Sequence, residues 1–183
     1  MLDVEVWKLA STNDLPELWR IDEDFLSKLK TVWTYDFVNG NTAKVPNVAV
    51  VPTQLTQVTQ EVLVQMRNTF ENGIRTQFLK SIGNNIKIGN MLKKAGFEDS
   101  EIPNLIQNLK NGGGLTGYQV HHKIPLNFGG TNDFENLILI KNSPFHTAIT
   151  SFQNTQINIP VGQTQILNFP KIEGIFYSPP FIN

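Results

Sequence analysis

The stretch YQVHHKIPLNFGGTNDFENLILIKNSPFHTAIT, residues 118–150, decides the fold because its pattern changes from strand to loop to strand to helix. GYQVHHKI predicts a strand, PLNFGGTNDFE a loop and NLILI a short apolar strand. Ser143 then stands where an N-cap is expected, with Pro144 in the first helical position, and this helix should run to about Gln153. All three histidines of the chain lie in this stretch.

The region before this stretch, residues 54–110, has a helical pattern. Apolar residues at every fourth position predict one long helix with an apolar stripe, and Asn72-Gly73 predicts a kink or a break in it. The stripe consists of Val58, Val62, Met66, Phe70, Ile74 and Phe78. Two further helices are expected, one over NNIKIGNMLKKA that ends at Gly96 and one from an N-cap at Ser100 to Leu109.

The two ends of the chain are predicted to contribute short strands. VEVWKL predicts a strand, Asp14 can cap a helix, VNGN predicts a turn and VPNVAVVP an extended segment. In the tail, QTQILNF and EGIFY predict strands that either wrap the core or extend from it. We therefore expect an α+β fold, with a mixed segment over residues 1–52 and a second domain over residues 53–183. That domain has its core at about 118–153 and its tail at 157–183.

Composition excludes several classes of protein. Hydrophobic residues make up 40% of the 183 residues and charged residues 17%, which favours a packed core over disorder. The sequence has no cysteine, so disulfides and zinc–thiolate sites are excluded. No apolar run approaches the ~20 residues that span a bilayer. The first residues lack the pattern of a signal peptide, and a net charge of −1 gives no overall basic excess for nucleic-acid binding.

The adjacent histidines His121 and His122 have two interpretations. Neighbouring residues of a strand point to opposite faces, so one ring can be buried and the other exposed with no function attached. Alternatively, the two rings divide tasks, with His121 turned to a metal ion and His122 taking a proton from water. In that case His146, on the following helix, closes on the same metal, and Asn136 holds the loop by hydrogen bonds across it.

The stretch resembles the HNH, or ββα-metal, nuclease motif in the form found in DNase bacteriocins and in toxin domains of secreted bacterial effectors. The resemblance rests on HH, Gly-Gly, TNDFENL and a helical histidine in that order, over residues 118–152. It implies that His121 and His146 are metal ligands, that His122 is the general base and that Asn136 is the central asparagine of the motif.

Two departures from the motif bear on the metal site. Bacteriocin DNases have a further histidine one helical turn after the last one, and here that position is Thr150. The metal would then have two protein ligands, with Thr150, waters or phosphate oxygens completing its shell. In addition, the segment between Asn136 and His146 is about one residue longer than the common spacing, which a turn at Ser143 and Pro144 can absorb.

The resemblance implies a metal-dependent, largely sequence-nonspecific DNA endonuclease that acts as an antibacterial toxin. Its cofactor would be one divalent ion, Mg²⁺, Zn²⁺, Mn²⁺ or Ni²⁺, and its partners DNA and a cognate immunity protein. Such a toxin is delivered by a bacterial export system and acts in the cytoplasm of the target cell. Lys123, Lys141 and Arg75 are candidate phosphate contacts, with Lys93 and Lys94 as further ones. The alternatives are an HNH enzyme of a restriction or mobile-element system and a decayed DNA-binding module.

Overall fold

The computed structural model describes residues 32–179, which form an α+β fold of short sheets and helices. The predicted strand at residues 4–9 and the predicted helix after Asp14 lie outside the described residues. The described part begins with an antiparallel hairpin of β1 (Val32–Asp36) and β2 (Thr42–Pro46). The turn predicted at VNGN is confirmed, because it joins these strands and Gly40 there has a φ of 82°.

The long helix predicted from the stripe is confirmed from Gln60 onward, whereas residues up to Thr56 belong to a strand and Val58 precedes the helix. Its buried face also differs from the predicted stripe. The helix consists of α1 (Gln60–Thr69), a π-helical turn (Phe70–Ile74) and α2 (Arg75–Gly83). Four residues advance slightly more than one turn, so a strict four-residue stripe winds around the helix. Val62 is consequently 41% exposed while Phe70 and Phe78 are buried. The Asn72-Gly73 signal falls within the π turn, and the helix continues through this turn into α2.

The two predicted shorter helices are α3 (Ile88–Lys94) and α4 (Ile102–Lys110). Gly96 follows α3 with a φ of 90°, as the predicted stop requires. The prediction that Ser100 caps α4 is wrong, because the helix begins after Glu101. The carbonyl of Glu98 accepts from the backbone N–H groups of Glu101 and Ile102 at 2.9 and 3.3 Å, so a preceding turn provides these amides with acceptors.

A three-stranded sheet carries the histidine stretch, with β5 (Leu137–Lys141) at its centre. It is antiparallel to β4 (Tyr118–His122) and parallel to β7 (Phe176–Tyr177). Alternation along β5 sends Ile138 and Ile140 to the hydrophobic cluster that includes the hairpin and the last helix. Leu137 and Leu139 enter the cluster formed with α2, α3 and α4. The strand is buried on both faces, which explains its uninterrupted apolar sequence.

The last helix, α5 (Thr147–Gln156), follows β5 through a turn over Asn142–His146. The predicted helix is confirmed, but Ser143 is extended, with a ψ of 135°, and does not cap it. The peptide bond between Ser143 and Pro144 is cis. Phe145 and Ile149 are buried.

The tail wraps the core. β6 (Thr164–Ile172) pairs with β3 (Val48–Thr56) along the whole length of both strands, and β7 joins the central sheet. The boundary predicted between residues 52 and 53 falls inside β3, and the residues from Val32 onward form one compact unit. Cross-strand pairing between distant parts of the sequence therefore ties residues 48–52 of the predicted N-terminal segment to the tail. No helix in the described range is long and apolar enough to cross a membrane.

Candidate functional site

The register of β4 on β5 fixes which way the adjacent histidines face. His121 lies opposite Ile138, and His122 lies opposite Leu137. Residues directly opposite in an antiparallel pair project to the same face of the sheet. His121 is therefore on the face covered by α5, and His122 is on the face covered by the helices α2 to α4.

Both rings nevertheless line one cleft, with a volume of about 460 Å³, at the end of β4. One wall comes from α1 and the π turn, and the other comes from α5. His146 lines the same cleft, so the structure brings the three predicted histidines together. The further lining residues used below are Arg67, Phe70, Glu71, Asn127, Thr150 and Gln153.

On the α5 side, two imidazoles stand edge to face. The ring centroids of His121 and His146 are 5.0 Å apart at an interplanar angle of 85°. The Nε2 atom of His121 lies 3.3 Å from the side-chain nitrogen of Gln153. The Nε2 atom of His146 lies 3.3 Å from the hydroxyl of Thr150. Each imidazole thus places its Nε2 beside another polar group of α5.

On the other side, His122 is held between Phe70 and Asn132. Its ring centroid is 4.6 Å from that of Phe70, and its Nε2 is 2.9 Å from the side-chain oxygen of Asn132. The amide nitrogen of Asn132 donates to the carbonyl of Met66 at 2.9 Å. A carbonyl can only accept, which fixes the amide orientation, and Nε2 of His122 must therefore be the donor to Asn132. The lone pair of neutral His122 is consequently on Nδ1.

Burial keeps all three imidazoles neutral at ordinary pH. It lowers the pKa of His121 to about 3, and the positive charge of a protonated His146 or His122 would add to the effect. Burial also lowers the pKa of His146. It lowers the pKa of His122 too, although the hydrogen bond to Asn132 and the nearby Glu71 carboxylate oppose the shift. All three rings thus keep a lone pair for a cation or a proton.

Asn136 holds the loop between β4 and β5, as its predicted position suggested. Its side-chain oxygen accepts from the backbone N–H of Ile124 at 2.9 Å. Its amide nitrogen donates to the carbonyls of Ile124 and Thr131 at 2.9 and 2.8 Å. Asn136 borders a second cavity, together with Lys123, and is not among the residues lining the cleft. Its observed contacts are those of a residue that shapes the loop.

The predicted phosphate contacts do not line the cleft with the histidines. Lys123 borders the second cavity and donates to the carbonyl of Glu135 at 2.7 Å. Lys93 pairs with Asp99 at 2.8 Å on the surface. Arg75 is exposed on α2, and Lys141 ends β5. The remaining candidate, Lys94, borders a third cavity.

Arg67, which sequence reasoning missed, lines the cleft from α1. No local pattern distinguished Arg67, because an arginine on a helix is usually a solvated charge. Asn132 was also missed, since only the fold brings it to His122 and Met66. Gln153 had a signal, because His146, Thr150 and Gln153 are spaced i, i+4 and i+7 and therefore share one face of a helix.

Residues 32–179 contain no group of three or more His, Asp or Glu side chains placed to bind a metal. The donors present nevertheless fit a small divalent ion. At metal–nitrogen distances of ~2.0–2.1 Å, two imidazoles on one tetrahedral ion have centroids roughly 5 Å apart, and adjacent donor atoms lie roughly 3.4 Å apart. The observed values are 5.0 Å for His121 and His146 and 3.3 Å for each imidazole with its α5 neighbour.

Comparison with known proteins shows a similarity to a curated protein. The chain is 34% identical over 118 residues to the uncharacterized protein YhhZ of Escherichia coli (strain K12). The match covers 64% of this chain and 28% of YhhZ, so the chain spans well under half of that protein's length. No family model matches the chain, and no solved structure matches it significantly. The similarity carries no activity, because YhhZ is itself uncharacterized.

Proposed function

We propose that this chain is a metal-dependent endonuclease that cleaves DNA with little sequence preference. The observation that carries the proposal is the convergence of His121, His122 and His146 on one cleft. His121 and His122 lie on a strand, and His146 lies at the start of a helix. A loop and the central strand separate the two, so the order is strand, loop, strand, helix, as expected of a ββα-metal motif. The asparagine that braces the loop, Asn136, supports the same assignment.

In this proposal His122 is the general base. Its Nε2–H is committed to Asn132, so Nδ1 is the atom that accepts a proton from the attacking water. Because burial lowers the pKa of His122, the ring is unprotonated at neutral pH and can accept that proton. The Phe70 ring packed against the imidazole restricts its rotation.

His121 and His146 would hold the divalent ion. When bound, such an ion supplies Lewis-acid stabilisation to the scissile phosphate and the leaving oxygen. The two imidazoles suit Zn²⁺, Mn²⁺ or Ni²⁺, and a shell completed by oxygen donors also admits Mg²⁺. Their neutral state prepares the site for a cation without the prior release of a proton.

Arg67 is our candidate for the contact with the substrate phosphate, because it lines the same cleft as the histidines. A guanidinium binds phosphate oxygens through two parallel N–H groups, and this contact positions a nucleic acid without reading its sequence. Lys123, Lys141 and Arg75 would then contribute only to the wider electrostatic surface.

The resemblance to toxin domains extends the proposal to the partner of the protein, its delivery and its place of action. A nonspecific nuclease harms the cell that makes it, so we propose a cognate immunity protein that covers the cleft. We further propose that the chain is delivered by a bacterial export system and acts in the target-cell cytoplasm. The test for this partner is expression of the unchanged protein with and without the gene that follows its own, with growth of the producing cell as the measurement. Harmless expression of an active enzyme in the absence of any partner contradicts this part.

The activity itself is tested by nicking of supercoiled plasmid with Mg²⁺, Mn²⁺, Zn²⁺ or Ni²⁺, and with a chelator. We expect cleavage of plasmids of unrelated sequence, and none with the chelator. His122→Ala should lower the cleavage rate by roughly 10²–10⁴-fold while metal binding is retained, because a general base does not touch the ion. His121→Ala should weaken metal binding and cleavage together. Cleavage of RNA alone contradicts DNase activity, and cleavage at one sequence favours a restriction or mobile-element enzyme.

A further inference from the structure

The side chain of Gln153 is buried at the metal-binding side of the cleft. Gln153 and the neighbouring His121 are both buried, at 5% and 8% exposed. An amide is costly to bury unless its polar atoms have partners. The partner observed here is the Nε2 atom of His121 at 3.3 Å, a separation at the long end for a hydrogen bond.

The position of Gln153 on α5 aligns it with the other donors. His146, Thr150 and Gln153 follow at i, i+4 and i+7, so their side chains are stacked along one face of the helix. That face meets His121 on β4, through contacts at Gln153 and at the ring of His146. These four side chains, from β4, α5 and the residue that precedes α5, therefore all line the same cleft.

We propose that Gln153 is a third protein ligand of the divalent ion, bound through its side-chain oxygen. This inference rests on the metal centre of the proposed function. The two ends of a glutamine amide have nearly the same shape, so a half-turn of the amide places Oε1 where Nε2 now lies, beside Nε2 of His121. That separation matches two donors on one ion, and amide oxygens are accepted ligands of divalent ions.

The proposed ligand set explains a chemical feature of the site. Two imidazoles, which bind a metal in their neutral form, and one neutral amide leave the charge of the ion uncompensated by its ligands. An ion held in this way attracts the anionic phosphate more strongly than one neutralised by carboxylates. Gln153 therefore adds a ligand at the end of α5 without lowering the charge presented to the substrate.

The test is metal titration of the full chain by calorimetry with Mn²⁺ and with Zn²⁺, beside the visible absorption spectrum of bound Co²⁺. Gln153→Leu keeps the approximate volume and removes both polar atoms. We expect it to weaken Mn²⁺ and Zn²⁺ binding by about 10- to 100-fold and to change the Co²⁺ spectrum. Gln153→Glu supplies an anionic oxygen at the same position and should bind Mn²⁺ at least as tightly as the unchanged protein. Gln156→Leu, an exposed glutamine of the same helix, is the control and should change neither quantity.

Several results overturn the inference. Unchanged affinity and an unchanged Co²⁺ spectrum in Gln153→Leu show that Gln153 is not a ligand. Weaker binding with an unchanged spectrum shows that Gln153 only positions His121. If Gln153→Leu does not fold, weaker binding of Mn²⁺ by Gln153→Glu overturns the inference in its place. Failure of the unchanged protein to bind any of these ions removes the metal centre of the proposed function together with this inference, so the two failures are distinguishable.

Discussion

Replacement of Asn132 tests the assignment of His122 as a base that acts through Nδ1. Asn132 accepts from Nε2 of His122 and donates to the carbonyl of Met66, each at 2.9 Å. Asn132→Ala removes both hydrogen bonds, leaves the Met66 carbonyl without this donor and frees the ring to take either tautomer. Asn132→Asp keeps an acceptor beside Nε2 but adds a negative charge and removes the donor to Met66.

The magnitudes follow from these contacts. Each hydrogen bond contributes about 0.5–1.5 kcal/mol, so Asn132→Ala should lower the free energy of unfolding by about 1–3 kcal/mol. Loss of a partner that orients a functional side chain typically lowers activity by about 10- to 100-fold. In Asn132→Asp the carboxylate raises the pKa of His122, against the effect of burial. The acidic limb of the cleavage rate should therefore move to higher pH, because a protonated imidazole cannot accept a proton.

Two assays measure the tautomer of His122 and the cleavage activity separately. Long-range ¹H–¹⁵N correlation spectra of the metal-free protein report which ring nitrogen of His122 carries the proton, and we expect Nε2. Plasmid nicking as a function of pH gives the position of the acidic limb. Asn127→Ala is the matched control, because Asn127 lines the same cleft and no hydrogen bond of its side chain is seen within residues 32–179. Protonation at Nδ1, or equal activity of Asn132→Ala and Asn127→Ala, refutes the assignment.

Three further predictions concern stability and the loop. The pKa of His121 is about 3 in the folded protein and ~6.5 when unfolded, so the unfolded state binds more protons below pH 6.5 and stability is lost as pH falls. In urea unfolding of the metal-free protein, His121 should account for a loss of about 2 kcal/mol between pH 8 and pH 5, and His121→Gln should lack this part of the pH dependence. Gly130→Ala should lower the free energy of unfolding by about 3 kcal/mol, because the new Cβ would lie 1.8 Å from the carbonyl oxygen of Ile124. Gly114→Ala is the control and should have little effect, because its new Cβ meets no atom within 4 Å. Asn136→Asp keeps the acceptor for Ile124 N–H but loses both donors, so calorimetry should show a lower melting temperature; an unchanged one would contradict the bracing role of Asn136.

Local patterns predicted the elements of this fold better than their boundaries. The order strand, loop, strand, helix was evident because apolar runs and glycines alternate clearly between residues 118 and 153. The N-terminus of α4 could not be predicted, because the backbone carbonyl of Glu98, and not the Ser100 side chain, accepts from the first amides. The π turn between α1 and α2 could not be predicted either, because it depends on hydrogen bonds between backbone groups five residues apart. In both cases backbone hydrogen bonds, which composition does not reveal, decide the result.

Pairing between distant segments was also beyond the sequence. The tail was predicted as short strands, but only tertiary structure shows β6 along β3, across more than a hundred intervening residues. The same limit applies to the site. His121, His122 and His146 were found because histidine is rare in this chain, whereas Asn132 and Arg67 belong to common residue types. Their roles depend on the approach of α1 to the end of β4, which no local pattern encodes.

The different surroundings of the two adjacent histidines follow from strand geometry. Alternation on β4 directs His121 toward α5 and His122 toward the helical cluster, and the register with β5 holds both orientations. A cleft in the middle of the strand would meet only one of the two rings. The cleft lies at the strand end, between α1 and α5, so both rings reach it. The groups that surround the two rings nevertheless differ. His121 has an amide at a distance suited to a shared ion, and His122 has an amide that fixes its tautomer. In the proposed function these surroundings give each ring a separate task. A one-residue shift of β4, which would exchange the two environments, should therefore abolish both metal binding and general-base catalysis.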